Sequence, residues 1–135
     1  SNYAGIAFGH AGCAAVHAMA YPLGGVHHIP HGQANQLMFA DVMRKYQEKK
    51  PIGKLNQLEE LLGAELDTEP VFALETLYKL MDAVLEKGPL HAHGITADEL
   101  PGFAKNVIET QQRLLGNNYV ELTEQDLLDI YRKAF

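Results

Sequence analysis

The sequence contains one cysteine, Cys13, so no disulfide can close within the chain. A lone thiol suits a reducing compartment, and a cytoplasmic protein is the expectation. Cys13 sits in the apolar stretch Gly12-Cys13-Ala14-Ala15-Val16, where it reads as a small buried hydrophobe rather than a nucleophile. Basic clusters are also missing. Lys and Arg number 11 against 17 acids, for a net charge of −6, and the longest basic group is Lys49-Lys50 with Lys54 nearby. Phosphate neutralisation needs clustered cations, so a nucleic-acid surface is excluded. No G-x-G-x-x-G or comparable phosphate cradle occurs, and the opening residues lack the basic flank of a signal peptide. Strand signals are absent and no tract is of low complexity.

What remains is a globular composition, 47% apolar and 21% charged, in 135 residues, about one domain. The run from Tyr3 to Tyr21 is almost uncharged and nearly long enough to cross a bilayer. Ala and Gly dominate it, His10 and His17 interrupt it, and no Lys or Arg anchors its ends, so no membrane span is expected. It reads instead as one central helix, apolar all round because protein surrounds it. A domain that opens inside its own core element is expected to be part of a longer chain.

Helix signals recur downstream. Pro22 with Leu23-Gly24-Gly25 predicts a break, and Val26-His27-His28-Ile29-Pro30 an extended connector. A second helix is predicted from His31-Gly32 through Leu37, Met38, Val42 and Tyr46, stopped by Pro51 and Gly53. Leu55, Leu58, Leu61 and Leu62 predict a short amphipathic helix ending at Gly63. Pro70 opens another, with the stripe Val71, Leu74, Leu77, Tyr78, Met81, Val84 and Leu85, closed by Gly88-Pro89. Thr96 and Glu99 have capping-box spacing, and Leu100-Pro101-Gly102 predicts a break after them. A helix carries Phe103, Val107, Ile108, Gln111, Leu114 and Leu115 up to Gly116, and Thr123 caps a last one containing Leu127, Leu128, Ile130 and Tyr131. Six or seven helices with short connections predict an all-α helical bundle.

Histidine is where the sequence becomes specific. Five of the seven fall between residues 10 and 31. His17 and His31 flank the predicted break, which would fold the chain back and bring two imidazoles together. Such a pair is half of a first-row divalent metal site, and imidazole alone does not choose the metal. The structural alternative is a pair of hydrogen-bonded core histidines. His91 and His93 form an H-x-H pair in a loop, read as exposed and polar. Two further readings stay open. One is a self-contained metal domain with an additional ligand from His27, His28, His91 or His93. The other is a non-catalytic helical module that binds a partner through its first helix.

Three segments carry a resemblance. These are Ala4-Gly5-Ile6-Ala7-Phe8, then Ala15-Val16-His17-Ala18-Met19-Ala20-Tyr21-Pro22-Leu23-Gly24-Gly25, then Pro30-His31-Gly32-Gln33-Ala34-Asn35. Together they resemble the iron-containing (group III) alcohol dehydrogenase signature, approximately AGxAF…HAxxHPLGxxxxxPHGxAN. The end of the chain agrees more loosely, in Leu114-Leu115-Gly116-Asn117-Asn118, in Leu122-Thr123-Glu124-Gln125-Asp126 and in Ile130-Tyr131-Arg132-Lys133-Ala134. The resemblance implies a dehydroquinate synthase-like α-domain. Residues 1–135 would be the C-terminal metal-binding part of a two-domain enzyme, homo-oligomeric when intact.

The resemblance also implies that His17 and His31 bind a divalent metal, Fe2+ or Zn2+. An Asp, a His and most of the NAD(H) contacts would come from an N-terminal domain outside this sequence. The substrate would be a small alcohol or aldehyde. Tyr21 stands where many members have a further His, near nicotinamide and substrate. A phenol there can donate a hydrogen bond or relay a proton, but an ordinary pKa of about 10 makes it a poor base. An aromatic plug at a helix end is its structural alternative. His10 stands where a small polar residue is common. Tyr21 and the connector from Gly24 to His28 resemble the 4-hydroxybutyrate dehydrogenase branch, which implies 4-hydroxybutyrate and succinate semialdehyde as the pair. On that reading His27 or His28 faces the substrate carboxylate; a solvated loop is the alternative.

Overall fold

The structure is a computed structural model that describes residues 2–135. It contains eight α-helices and no strand among the described residues. They are α1 (Asn2–Ala11), α2 (Ala15–His27), α3 (His31–Lys49), α4 (Lys54–Glu65), α5 (Pro70–Val84), α6 (Leu100–Thr110), α7 (Gln112–Leu115) and α8 (Glu124–Ala134). Two 3-10 turns, Leu90–His93 and Ala97–Glu99, lie between α5 and α6. The all-α bundle is as expected. Helix α2 packs on α3, α6 and α7, helix α8 closes against α3 and α6, and α4 with α5 forms a hairpin.

Several expectations are corrected. The Tyr3–Tyr21 run is not one helix, because Gly12 adopts φ +71 and separates α1 from α2. Nor is its first half buried. No residue of α1 is buried, and Tyr3, Ile6 and Phe8 are all exposed. Pro22 does not break the helix but lies inside α2. A proline in a helix interior removes one ladder hydrogen bond and costs about 3 kcal/mol. Its neighbours Ala18, Met19, Ala20 and Leu23 are almost fully buried, and that packing outweighs the loss. The connector therefore shrinks to His28-Ile29-Pro30. His28 takes a left-handed φ of 56, and Leu23 O accepts from the His28 and Ile29 amides.

Leu100-Pro101-Gly102 opens α6 instead of breaking the chain, since proline fits a first helical turn. The helix expected up to Gly116 divides at Gln111. On α5, Leu74 and Tyr78 are buried, whereas Val71, Val84 and Leu85 of the expected stripe are exposed. Cys13 is half-buried and packs against the core.

The two predicted caps form. Glu99 Oε2 accepts from the Thr96 amide and hydroxyl, each at 2.8 Å. Thr123 and Asp126 close a reciprocal box at the start of α8, with the Asp126 carboxylate 2.8 Å from the Thr123 amide. Asp126 also meets Lys49 and the buried Lys45 from α3. Burial would raise the Asp126 pKa, but the hydrogen bonds from Lys49 and Thr123 outweigh it and hold the carboxyl below its ordinary value. A depressed carboxyl pKa stabilises the fold above the ordinary value of about 3.9, and that contribution is lost as pH falls through the depressed one. Unfolding midpoints are expected to drop on acidification from about pH 5 to pH 3, and to drop less in Asp126→Asn. Denaturant titrations at the two pH values check this, and equal slopes in both proteins refute it.

Candidate metal centre

His17 lies in the first turn of α2 and His31 is the first residue of α3. The two rings meet at a centroid separation of 5.2 Å, tilted by 53°. They do not meet as the end of one helix and the start of the next. Instead the chain doubles back at His28-Ile29-Pro30, so that His31 at the start of α3 comes against the His17 turn of α2.

One turn on from His17, Tyr21 stacks on His31 at 6.3 Å and 23°. Phe8 reaches His17 from α1 at 6.5 Å. The sequence motif therefore becomes one aromatic cluster, partly open to solvent, with Tyr21 43% exposed. Burial lowers the His17 pKa, and neighbouring His31 lowers it further, so His17 is neutral at neutral pH. Neutral imidazole is the form that offers a lone pair to a metal.

A divalent ion with metal–nitrogen bonds of about 2 Å could touch a nitrogen of each ring at this spacing. The residues present thus fit half of a metal site. Among the described residues, no third His, Cys, Asp or Glu joins them to make a group that could hold an ion.

The other histidines are engaged elsewhere. His27 Nε2 is 2.9 Å from Glu99 Oε1, and its ring meets Phe103 edge-on at 6.1 Å. Glu99 is held below the ordinary carboxylate range by the Thr96 amide and hydroxyl and by His27. His28 is exposed. His91 contacts the Phe135 carbonyl, His93 is 2.7 Å from Lys87 O, and His10 is 2.9 Å from Ile6 O of its own helix. The structure therefore does not bring His27, His91 or His93 to the pair. The extra ligand that a self-contained metal domain would need is not supplied from these positions.

Asn35 closes the segment that begins Pro30-His31. Its side-chain amide lies 3.0 Å from His31 Nε2, one turn along α3. Its Oδ1 is buried without a partner. The H-x-x-x-N spacing is the signal, since residues four apart share a helix face.

The model of the Fe-containing alcohol dehydrogenase family, C-terminal, matches residues 1–135. The chain belongs to the iron-containing alcohol dehydrogenase family. It is 45% identical to the 4-hydroxybutyrate dehydrogenase of Clostridium kluyveri over 135 residues, covering 100% of this chain and 36% of that protein. It is 34% identical to long-chain-alcohol dehydrogenase 1 of Geobacillus thermodenitrificans over 139 residues, covering 100% and 35%. Among solved structures, a 1,3-propanediol oxidoreductase superposes with a TM-score of 0.69 at 26% identity, over 89% of this chain and 32% of that one. An archaeal alcohol dehydrogenase from a Red Sea brine pool gives a TM-score of 0.75 at 22% identity, over 90% and 32%, and supports the fold. The chain spans about a third of the length of these relatives. No helix of the described residues is long and apolar enough to cross a membrane.

Proposed function

We propose that this chain is the metal-binding helical domain of an NAD(H)-linked alcohol dehydrogenase that interconverts 4-hydroxybutyrate and succinate semialdehyde. The observation that carries the reading is the His17–His31 pair at 5.2 Å with Tyr21 stacked beside it, in a chain of this family. The 45% identity to a 4-hydroxybutyrate dehydrogenase supports the choice of substrate. Iron and zinc both suit the two imidazoles.

A bound metal would supply Lewis acidity toward the substrate oxygen, and the nicotinamide would supply the redox chemistry. The chain's own residues do the positioning. His17 and His31 offer two ring nitrogens from two packed helices, so their spacing is fixed by the α2–α3 contact. Asn35 Nδ2 approaches His31 Nε2 and orients that ring; a metal bound through Nε2 would take its place. Tyr21 offers a phenol beside His31 as a hydrogen-bond donor, and Phe8 flanks the His17 ring at 6.5 Å. The remaining ligands and most NAD(H) contacts come from a nucleotide-binding domain beyond these 135 residues. The isolated chain is catalytically silent.

Glu99 already engages His27, so His28 is the better placed of the two to meet a substrate carboxylate. In the intact, metal-loaded enzyme, oxidation of 4-hydroxybutyrate with NAD is expected to exceed that of unsubstituted butanol. His28→Ala is expected to raise KM for 4-hydroxybutyrate about tenfold, the loss of roughly one charge-assisted hydrogen bond, with butanol unaffected. Equal activity on both alcohols would remove the substrate assignment. An unchanged KM would remove His28 from it.

A further inference from the structure

Helix α2 carries His17 in its first turn but has no cap of its own. Ala14 occupies the N-cap, without a side chain that can accept a hydrogen bond. The first amides of a helix have no partner within it, and a missing cap frays the first turn. The partner comes from the far end of the chain. Asn118 Oδ1 accepts from the Ala15 amide at 2.8 Å, two residues before His17. The same oxygen accepts from the Tyr46 hydroxyl of α3 at 2.9 Å. One amide oxygen therefore ties together the two helices that carry His17 and His31.

Its neighbour fixes the approach. Asn117 Nδ2 donates to Cys13 O at 2.9 Å, spanning the α1–α2 corner. At Gly12, the left-handed residue of that corner, an added Cβ would lie 2.9 Å from Asn117 Nδ2. Gly12 is thus required both for its φ and for the room it leaves Asn117. Asn118 Nδ2 is buried without a partner, so the amide acts at this junction only as an acceptor.

We infer that Asn118, assisted by Asn117, is the positioning residue of the metal centre, capping α2 from a distance and fixing His17 relative to His31. This rests on the reading of His17 as a ligand. Asn118 touches neither ring and acts through the backbone of the turn that carries His17; groups bonded directly to a ligand ring govern affinity by about 10–100-fold, which bounds the effect from above.

The test uses the intact enzyme stripped of metal and titrated with Zn2+, together with amide hydrogen exchange of the metal-free form. Asn118→Leu is expected to lower Zn2+ affinity by up to about tenfold and to speed exchange at Ala15. Asn118→Asp keeps the acceptor oxygen and is expected to restore both to within a few-fold. Tyr46→Phe is a milder probe that removes one of the two donors. It decides the matter if Asn118→Leu fails to fold, and is expected to weaken Zn2+ binding in the same direction. Unchanged Zn2+ affinity in a folded Asn118→Leu or in Tyr46→Phe, or equal losses in the Leu and Asp variants, overturns the inference. His17→Ala is the control for the underlying reading. Wild-type Zn2+ affinity there removes the ligand assignment itself, whereas its loss beside an unaffected Asn118→Leu removes only the positioning role.

Discussion

His17→Ala or His31→Ala in the intact enzyme is expected to abolish stoichiometric metal retention and to lower kcat/KM by at least about a hundredfold. The two rings stand 5.2 Å apart on separate helices, so neither can substitute for the other. Removing one leaves a lone imidazole from this domain, while Lewis-acid stabilisation by a bound metal contributes several kcal/mol to the barrier. Each 1.36 kcal/mol is tenfold in rate, so a loss of two or three such increments follows. Elemental analysis after desalting checks the first effect and steady-state kinetics the second. Normal metal content in both variants would end the assignment. Tyr21→Phe separates the neighbouring group from the ligands. It retains the ring that stacks on His31 and removes only the hydroxyl, so metal content should be unchanged.

The largest expected loss of stability is at Tyr131. It is fully buried in α8, donates from its hydroxyl to Met19 O of α2 at 2.7 Å, and packs edge-on against Phe103 at 5.9 Å. Burial pushes its pKa far above the ordinary phenol value. Truncating a buried aromatic to alanine costs about 3–5 kcal/mol through lost transfer energy and the cavity left behind. Losing the hydroxyl alone costs about 1 kcal/mol. Tyr131→Ala should therefore lose several times as much stability as Tyr131→Phe in denaturant unfolding of the 135-residue chain. Equal losses would mean that the hydrogen bond to Met19, not the ring, joins α8 to α2.

Local chemistry was legible in the sequence and distant contact was not. Thr123 with Asp126 and Thr96 with Glu99 form caps because each box closes within a few residues. The openings of α3 at His31 and of α5 at Pro70 are equally local. The pair His17 and His31 was visible through a motif, and the structure brings them together. The break at Gly12 was not visible. Its partner is Asn117, whose amide reaches Cys13 O across 104 residues. Nor could the sequence show that Pro22 would be accommodated, since that depends on what packs around the middle of α2. His27 was expected in a connector and lies in a helix, drawn to a glutamate 72 residues away. On α5, periodicity marked Val71 and Val84 as core, but it cannot say how far along a helix a neighbour extends.

The span between Ala15 and Asn118 also sets an order of events during synthesis. These partners lie 103 residues apart, so the cap on α2 cannot close until nearly the whole domain has been made. At about 5–20 residues per second, the His17 amide region waits roughly 5–20 s after its own synthesis before it is fixed. Over that interval the first turn of α2 lacks the acceptor that caps it. The amide that opens the His17 turn is therefore among the last in the domain to find its partner.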